Sequence, residues 1–159
     1  MKKNPTPSVE FAAPGLPRIF AAMVYDGLLL AAISIAYGAL VVAIDVAIFG
    51  RPEAGKHIQW SLPAKLLITA GWLFAVMFFY VYFWQKFGQT LGMKTWRMQI
   101  VDAKTHQIIS YSQAVKRCAA AFLSLICFGM GYWLKLVHPQ GRLMHDLLSG
   151  TQIILLKKK

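Results

Sequence analysis

The sequence predicts an all-α integral membrane protein, with two transmembrane helices, a third apolar segment that is a re-entrant helical hairpin or a third span, and a small cytoplasmic β-hairpin. Three observations carry this expectation. Two apolar runs are each long enough to cross a bilayer; 57% of the 159 residues are apolar and only 14% charged; and the basic residues lie outside the apolar runs or at their edges. A soluble fold of this size leaves much of its surface in water and needs more charge to stay dispersed. The surplus apolar material must therefore face something other than water.

Residues 1–17 are rich in proline, show little periodicity and read as a flexible cytoplasmic arm. The membrane domain then runs over 18–156. Its first span, 19–44, contains one charge, Asp26, and at about 1.5 Å per residue is roughly 39 Å long, more than the ~30 Å of bilayer hydrocarbon. Ala32 and Ala36, and likewise Ser34 and Gly38, are four apart, a spacing that lets a neighbouring helix approach closely. The run is too long for a signal-peptide core, so it is expected to stay as an anchor.

Residues 45–61 mix both charge signs with glycine and proline and form a periplasmic loop. The second span, 62–84, has Lys65 near its start and ends in Phe78, Phe79, Tyr80, Tyr82, Phe83 and Trp84, rings that favour the headgroup level. Beyond it Gly88 and Gly92 punctuate a turn. Trp96, Met98 and Ile100 then alternate with polar neighbours, the period of a strand. A hairpin over 94–110 follows, with its bend at Asp102 to His106 and a return strand at 107–110. Ser110 and Gln113 form a capping box that starts a helix near Tyr111.

The third apolar segment spans 114–137, with Gly129, Met130 and Gly131 in its interior and basic residues on both sides. A full crossing would put Arg142 and the basic 157–159 tail outside, against the positive-inside tendency. The expected arrangement keeps both termini cytoplasmic. The run Thr151 to Leu156 is short and β-prone, and can pair with the hairpin only from that same side.

The net charge of +11 invites a nucleic-acid reading, but Lys2, Lys3, Lys86, Lys94, Arg97, Lys116, Arg117, Lys135 and the 157–159 tail are distributed as orientation signals beside apolar runs. No nucleic-acid partner is expected. Cys118 and Cys127 stand about 13 Å apart along one helix and cannot bridge. The four histidines, His57, His106, His138 and His145, are scattered, so neither a metal nor a cofactor is expected. GQTLGMKT has three residues between its glycines and Met93 before its lysine, which departs from a phosphate loop. No nucleophile motif appears, and no enzyme activity is expected.

Three segments resemble the RDD family of membrane proteins: RIFAAMVYDGLLL around Arg18 and Asp26, GQTLGMKTWRMQIVD after the second span, and GRLMHDLLSGTQII near the end. They occur in the family's order and cover about residues 17–155. The family is named for one arginine and two aspartates, which the resemblance places at Arg18, Asp26 and Asp146. It implies a membrane module of bacteria and archaea, of largely unassigned function, suspected of transport, with sodium/proton antiport attributed to some members; for this chain the bacterial inner membrane is expected.

Asp26 is the sharpest residue of this set, because an ionisable group inside a membrane helix is expensive and is paired, faces a cavity, or works. Arg18 lies about 12 Å nearer the interface and roughly 80° around the helix, so it snorkels outward instead. Asp26 then needs a donor from the third helix or from Tyr25 of a second copy. Arg142 shares a helix face with Asp146, and His145 is suited to carrying a proton. Two functions follow as expectations. One is a component of cation- or proton-coupled transport, which needs a homo-oligomer because two or three spans enclose no pathway. The other is a membrane scaffold or accessory subunit, its charges clamping Asp26 to the 142–146 segment and its hairpin meeting a membrane-protein partner.

Overall fold

The computed structural model describes residues 12–53, 56–137 and 141–156; most of the 1–17 arm, His138 and the 157–159 tail lie outside them. The order of elements is α1 (Leu16–Phe49), α2 (Leu62–Phe87), α3 (Leu91–Thr95), β1 (Met98–Asp102), α4 (Tyr111–Ile126), α5 (Met130–Val137), α6 (Met144–Ser149) and β2 (Thr151–Leu155).

Pro17 sits in the first turn of α1, where the amide it lacks has no helical partner to lose. The helix then runs 34 residues, about 51 Å, because nothing before Gly50 interrupts it. It extends past both ends of the expected span, and Asp45, expected in the loop, is helical and accepts from Trp60 Nε1 at 2.9 Å. α2 also starts on a proline and ends at Gly88, whose φ of 68° is left-handed and whose amide donates to Trp84 O at 2.9 Å. Glycine takes that conformation at no steric cost.

α1 and α2 are both long and apolar enough to cross a membrane; α4 and α5 together make a third such stretch, bent by 98°. The bend falls at Cys127 to Gly129, where Phe128 and Gly129 both have positive φ. That elbow is the geometry of a broken span or of a re-entrant stretch, the two alternatives expected for this segment.

α1 and α2 touch through polar groups at a few places. The Tyr37 hydroxyl donates to Ile68 O at 2.9 Å, and Trp72 Nε1 donates to Ser34 Oγ at 2.8 Å. Gly71 is the position where the Tyr37 ring passes, since a Cβ there would overlap its hydroxyl. Of the small residues expected at a helix contact, Ser34 takes part. Ala32, Ala36 and Gly38 instead face outward.

The sheet departs from the expected hairpin. β1 pairs antiparallel with β2 in the register Met98 to Leu155 and Asp102 to Thr151, and residues 107–110 form no strand. Asp102 N donates to Gln107 O at 2.9 Å and closes the bend, after which Ser110 is taken up as the N-cap of α4. The edge that a return strand would cover meets Gly88 instead, whose carbonyl accepts from Ile100 N at 2.7 Å, and β2 pairs with the opposite edge, where Ala103 N donates to Gly150 O and Leu156 N to Arg97 O. The residues expected to open the hairpin are also different in kind: Leu91 to Thr95 is a short helix capped by Thr90, whose side chain accepts from Met93 N. The bend itself is as expected. Asp102 Oδ1 accepts from the amides of Lys104 and Thr105, both at 2.8 Å, and Oδ2 accepts from Gln113 Nε2 at 2.5 Å. Those donors hold its carboxyl well below the usual carboxylate range.

The apolar core gathers at one end of the molecule, where Ile19 and Ala22 of α1, Val81 and Trp84 of α2, Met98 and Ile100 of β1, Ala114 of α4 and Leu143 pack together. The buried residues of α1 are Ile19, Ala22 and Asp26, all in its first third. Beyond them large apolar side chains point outward, among them Ile35 at 74% and Leu67 at 75% exposure. Such a surface is stable only against an apolar medium or another chain. Leu155 N donates to Ala12 O at 3.0 Å, so the two ends of the described chain meet on the core side.

Candidate functional site

Two buried carboxylates lie on this core, each tying together elements that are distant in sequence. Asp26 lies two turns beyond Ile19 on the packed face of α1 and is 4% exposed. The Thr90 hydroxyl donates to its Oδ2 at 2.6 Å and the Gly92 amide to its Oδ1 at 2.9 Å. Both donors come from the start of α3, which approaches α1 so closely that position 92 has room only for glycine. A Cβ there would overlap Ala22 O and lie 2.9 Å from Asp26 Oδ1. The donors expected from the third helix or from a second Tyr25 are thus replaced by Thr90 and Gly92. Tyr25 itself points outward, half exposed.

The second carboxylate, Asp146, is 2% exposed. It ion-pairs with Arg117 through Oδ1, and its Oδ2 accepts from Leu143 N at 3.0 Å, which caps the start of α6. The same Arg117 nitrogen donates to Thr151 Oγ1 at 2.6 Å, and Thr151 shares a hydrogen bond of 2.8 Å with Ser149 Oγ. The Arg117 guanidinium also stands over the Trp84 ring, 5.4 Å from its centroid. One arginine thereby links α4, α2, α6 and β2.

This pairing corrects two expectations. Arg142 does not hold Asp146: it precedes α6 and so has no helical i,i+4 relation to it, and its Nη2 reaches Gln152 Oε1 at 3.4 Å instead. Asp26 is clamped to residues 90–92, not to the 142–146 segment. Arg18 lies half-buried near the start of α1 and makes no ion pair among the described residues.

By its position beside an apolar run Arg117 reads as a flanking charge, but the sequence does hold a signal for its role. With the helix starting at Ser110, Ala114, Arg117, Ala120 and Ser124 fall on one face and are the buried residues of α4, whereas Lys116 is exposed. A cation on a stripe of small residues faces inward.

His145 is 3% exposed and meets the Tyr132 ring edge-on at 5.2 Å between centroids. Burial, with the Arg117 guanidinium beside it and only partly offset by Asp146, pushes its imidazole down to about 3. It is neutral at pH 7.

A cavity of about 570 Å³ runs between α1, α2 and α4, and Asp26, Thr90, Arg117 and His145 stand on its otherwise apolar wall. Arg18, Arg142 and Asp146 do not line it. The site thus joins Asp26 to the partner of Asp146 across one space. Among the described residues no group of three or more His, Cys, Asp or Glu side chains is placed to hold a metal ion.

The RDD family model matches residues 12–150. An uncharacterized protein of Rickettsia prowazekii (strain Madrid E) is 33% identical over 90 residues, which are 57% of this chain. The matched stretch spans 50% of that relative's own length. No solved structure matches the chain.

Proposed function

The chain belongs to the RDD family, and on that premise we propose that it is a multi-pass protein of the bacterial cytoplasmic membrane, both ends cytoplasmic, that serves as a non-catalytic accessory subunit for a membrane-protein partner. One observation carries the accessory role: the oxygens of Asp26 and Asp146 are already bonded by donors of the chain itself. A carboxylate engaged in this way fixes helices. An exchanging ion would first have to displace those donors in an apolar surrounding.

Asp26→Asn tests the reading. The amide would set a donor against Thr90 or Gly92, and a lost buried partner costs about 1–3 kcal/mol, at about 2–4 °C of Tm per kcal/mol for a chain this size. The expected result is a Tm in detergent several degrees lower, unchanged cation-dependent proton flux in vesicles, and one dominant partner in pull-downs. Lost flux with an unchanged Tm would reject the accessory role, and a chain that purifies alone as a defined oligomer would count against it.

A second reading, a homo-oligomeric component of transport coupled to a monovalent cation or proton, is supported by the position of Asp26 on the cavity wall near Arg117 and His145. It places Asp26 as the exchanging group. Under it Asp26→Asn abolishes flux at normal expression.

A further inference from the structure

The cavity holds features that neither clamp uses. Its rim is built from Trp72, Leu73 and Met77 of α2 and Phe122 and Leu125 of α4, all between 37% and 55% exposed. Trp72, Leu73 and Met77 belong to a helix long and apolar enough to cross a membrane, and Phe122 and Leu125 to the bent apolar stretch beside it, so with α2 in the bilayer the opening looks sideways into lipid rather than toward water. The inner wall is Met93, Met98, Ile100 and Leu143, each 7% exposed or less. At about 570 Å³ the space falls within the ~300–1,000 Å³ of ordinary ligand sites. Walls this apolar bind water poorly.

Three residues of the lining carry buried polar atoms without a hydrogen-bond partner: Trp84 Nε1, Arg117 Nε and His145 Nδ1. Indole and guanidinium nitrogens can only donate, so what meets them must offer an acceptor, for which a carbonyl oxygen serves. No charge is left over to recruit an anion, because Arg117 is paired with Asp146 and Asp26 adds a further acid. The complement is an uncharged acceptor attached to a long apolar chain, arriving from the bilayer.

We propose that this cavity binds the acyl chain of a bilayer glycerolipid, which enters past the Trp72 to Leu125 rim and sets its ester carbonyl at the Trp84, Arg117 and His145 end. The site does not depend on the accessory or transport reading. A lipid held there fills the gap that α1, α2 and α4 leave between them and supplies acceptors to donors that would otherwise stay orphaned.

The full chain, reconstituted in phosphatidylcholine vesicles containing a phosphatidylcholine with a diazirine in mid-chain, is irradiated and its adducts are mapped by peptide mass spectrometry. Outward residues such as Leu66 and Phe74 report the surrounding lipid. The expected result is further adducts on Met23, Met93 and Cys118, which line the cavity. Ala121→Trp, which fills the space from α4, is expected to abolish these inner adducts and leave the outer ones. Val76→Trp fills it from α2 and gives the same reading should the first variant not fold. Adducts confined to the outward residues, inner adducts that persist in a folded filled variant, or inner residues crosslinked to a second copy of the chain would each overturn the proposal.

Discussion

Arg117 and Asp146 are each 2% exposed, and at that depth the two halves of an ion pair are worth little separately. Removing one partner of a buried pair strands the other charge and costs about 3–5 kcal/mol, whereas replacing both by apolar residues is often neutral. Arg117→Met alone is therefore expected to lower the Tm in detergent sharply, and Arg117→Met with Asp146→Leu to recover much of the loss. Equal losses in the single and double variants would show that the charge itself is required. Gly92→Ala attacks the other clamp, because the added carbon meets Ala22 O and Asp26 Oδ1; a loss of about 1–3 kcal/mol is expected from overpacking, read as the same Tm shift. His145 carries a pH signature. Its unfolded imidazole takes a proton near pH 6.5 while the folded one, facing Arg117 and Asp146, resists until about 3. Its contribution is complete above about pH 6.5 and is lost as the pH falls toward 3. Thermal melts from pH 7 to pH 4 should show a declining Tm, and His145→Asn should flatten the decline.

At the level of elements, local chemistry was readable and distant pairing was not. The start of α4 followed from Ser110 and Gln113, which form the expected capping box, Ser110 N donating to Gln113 Oε1 at 2.9 Å. Ser110→Ala is expected to remove about 1 kcal/mol, measured by denaturation in mixed micelles, with no change in the two long helices. The bend at Asp102 was equally local. The strand at 98–102 was legible from its period, but its partner was assigned to the nearest β-capable residues, because alternation specifies a strand and says nothing of what lies beside it. Five residues of helix at Leu91 to Thr95 escaped notice for a related reason: the stretch is too short to show a helical period, and its fixed points, Thr90 and Gly92, acquire meaning only against Asp26 of α1. Of the site, the sequence marked both carboxylates through the cost of burying charge, but neither of their partners.

Across the molecule, the buried Asp26, Arg117 and Asp146 and the β1–β2 pair collect, among the described residues, at one end of the two long helices. Ala12 and Leu155 are hydrogen-bonded neighbours, so reporters joined to the first and to the last residue of the chain should give the same sidedness in intact cells. Opposite signals would mean that α4 and α5 together cross once. The spacing of the ion pair also bears on how the chain is made. Asp146 follows Arg117 by 29 residues, and β2 comes later still. Until residue 146 has been added the Arg117 guanidinium has no counter-ion, so chains that end before it should leave the third apolar stretch outside the bilayer, accessible to added protease.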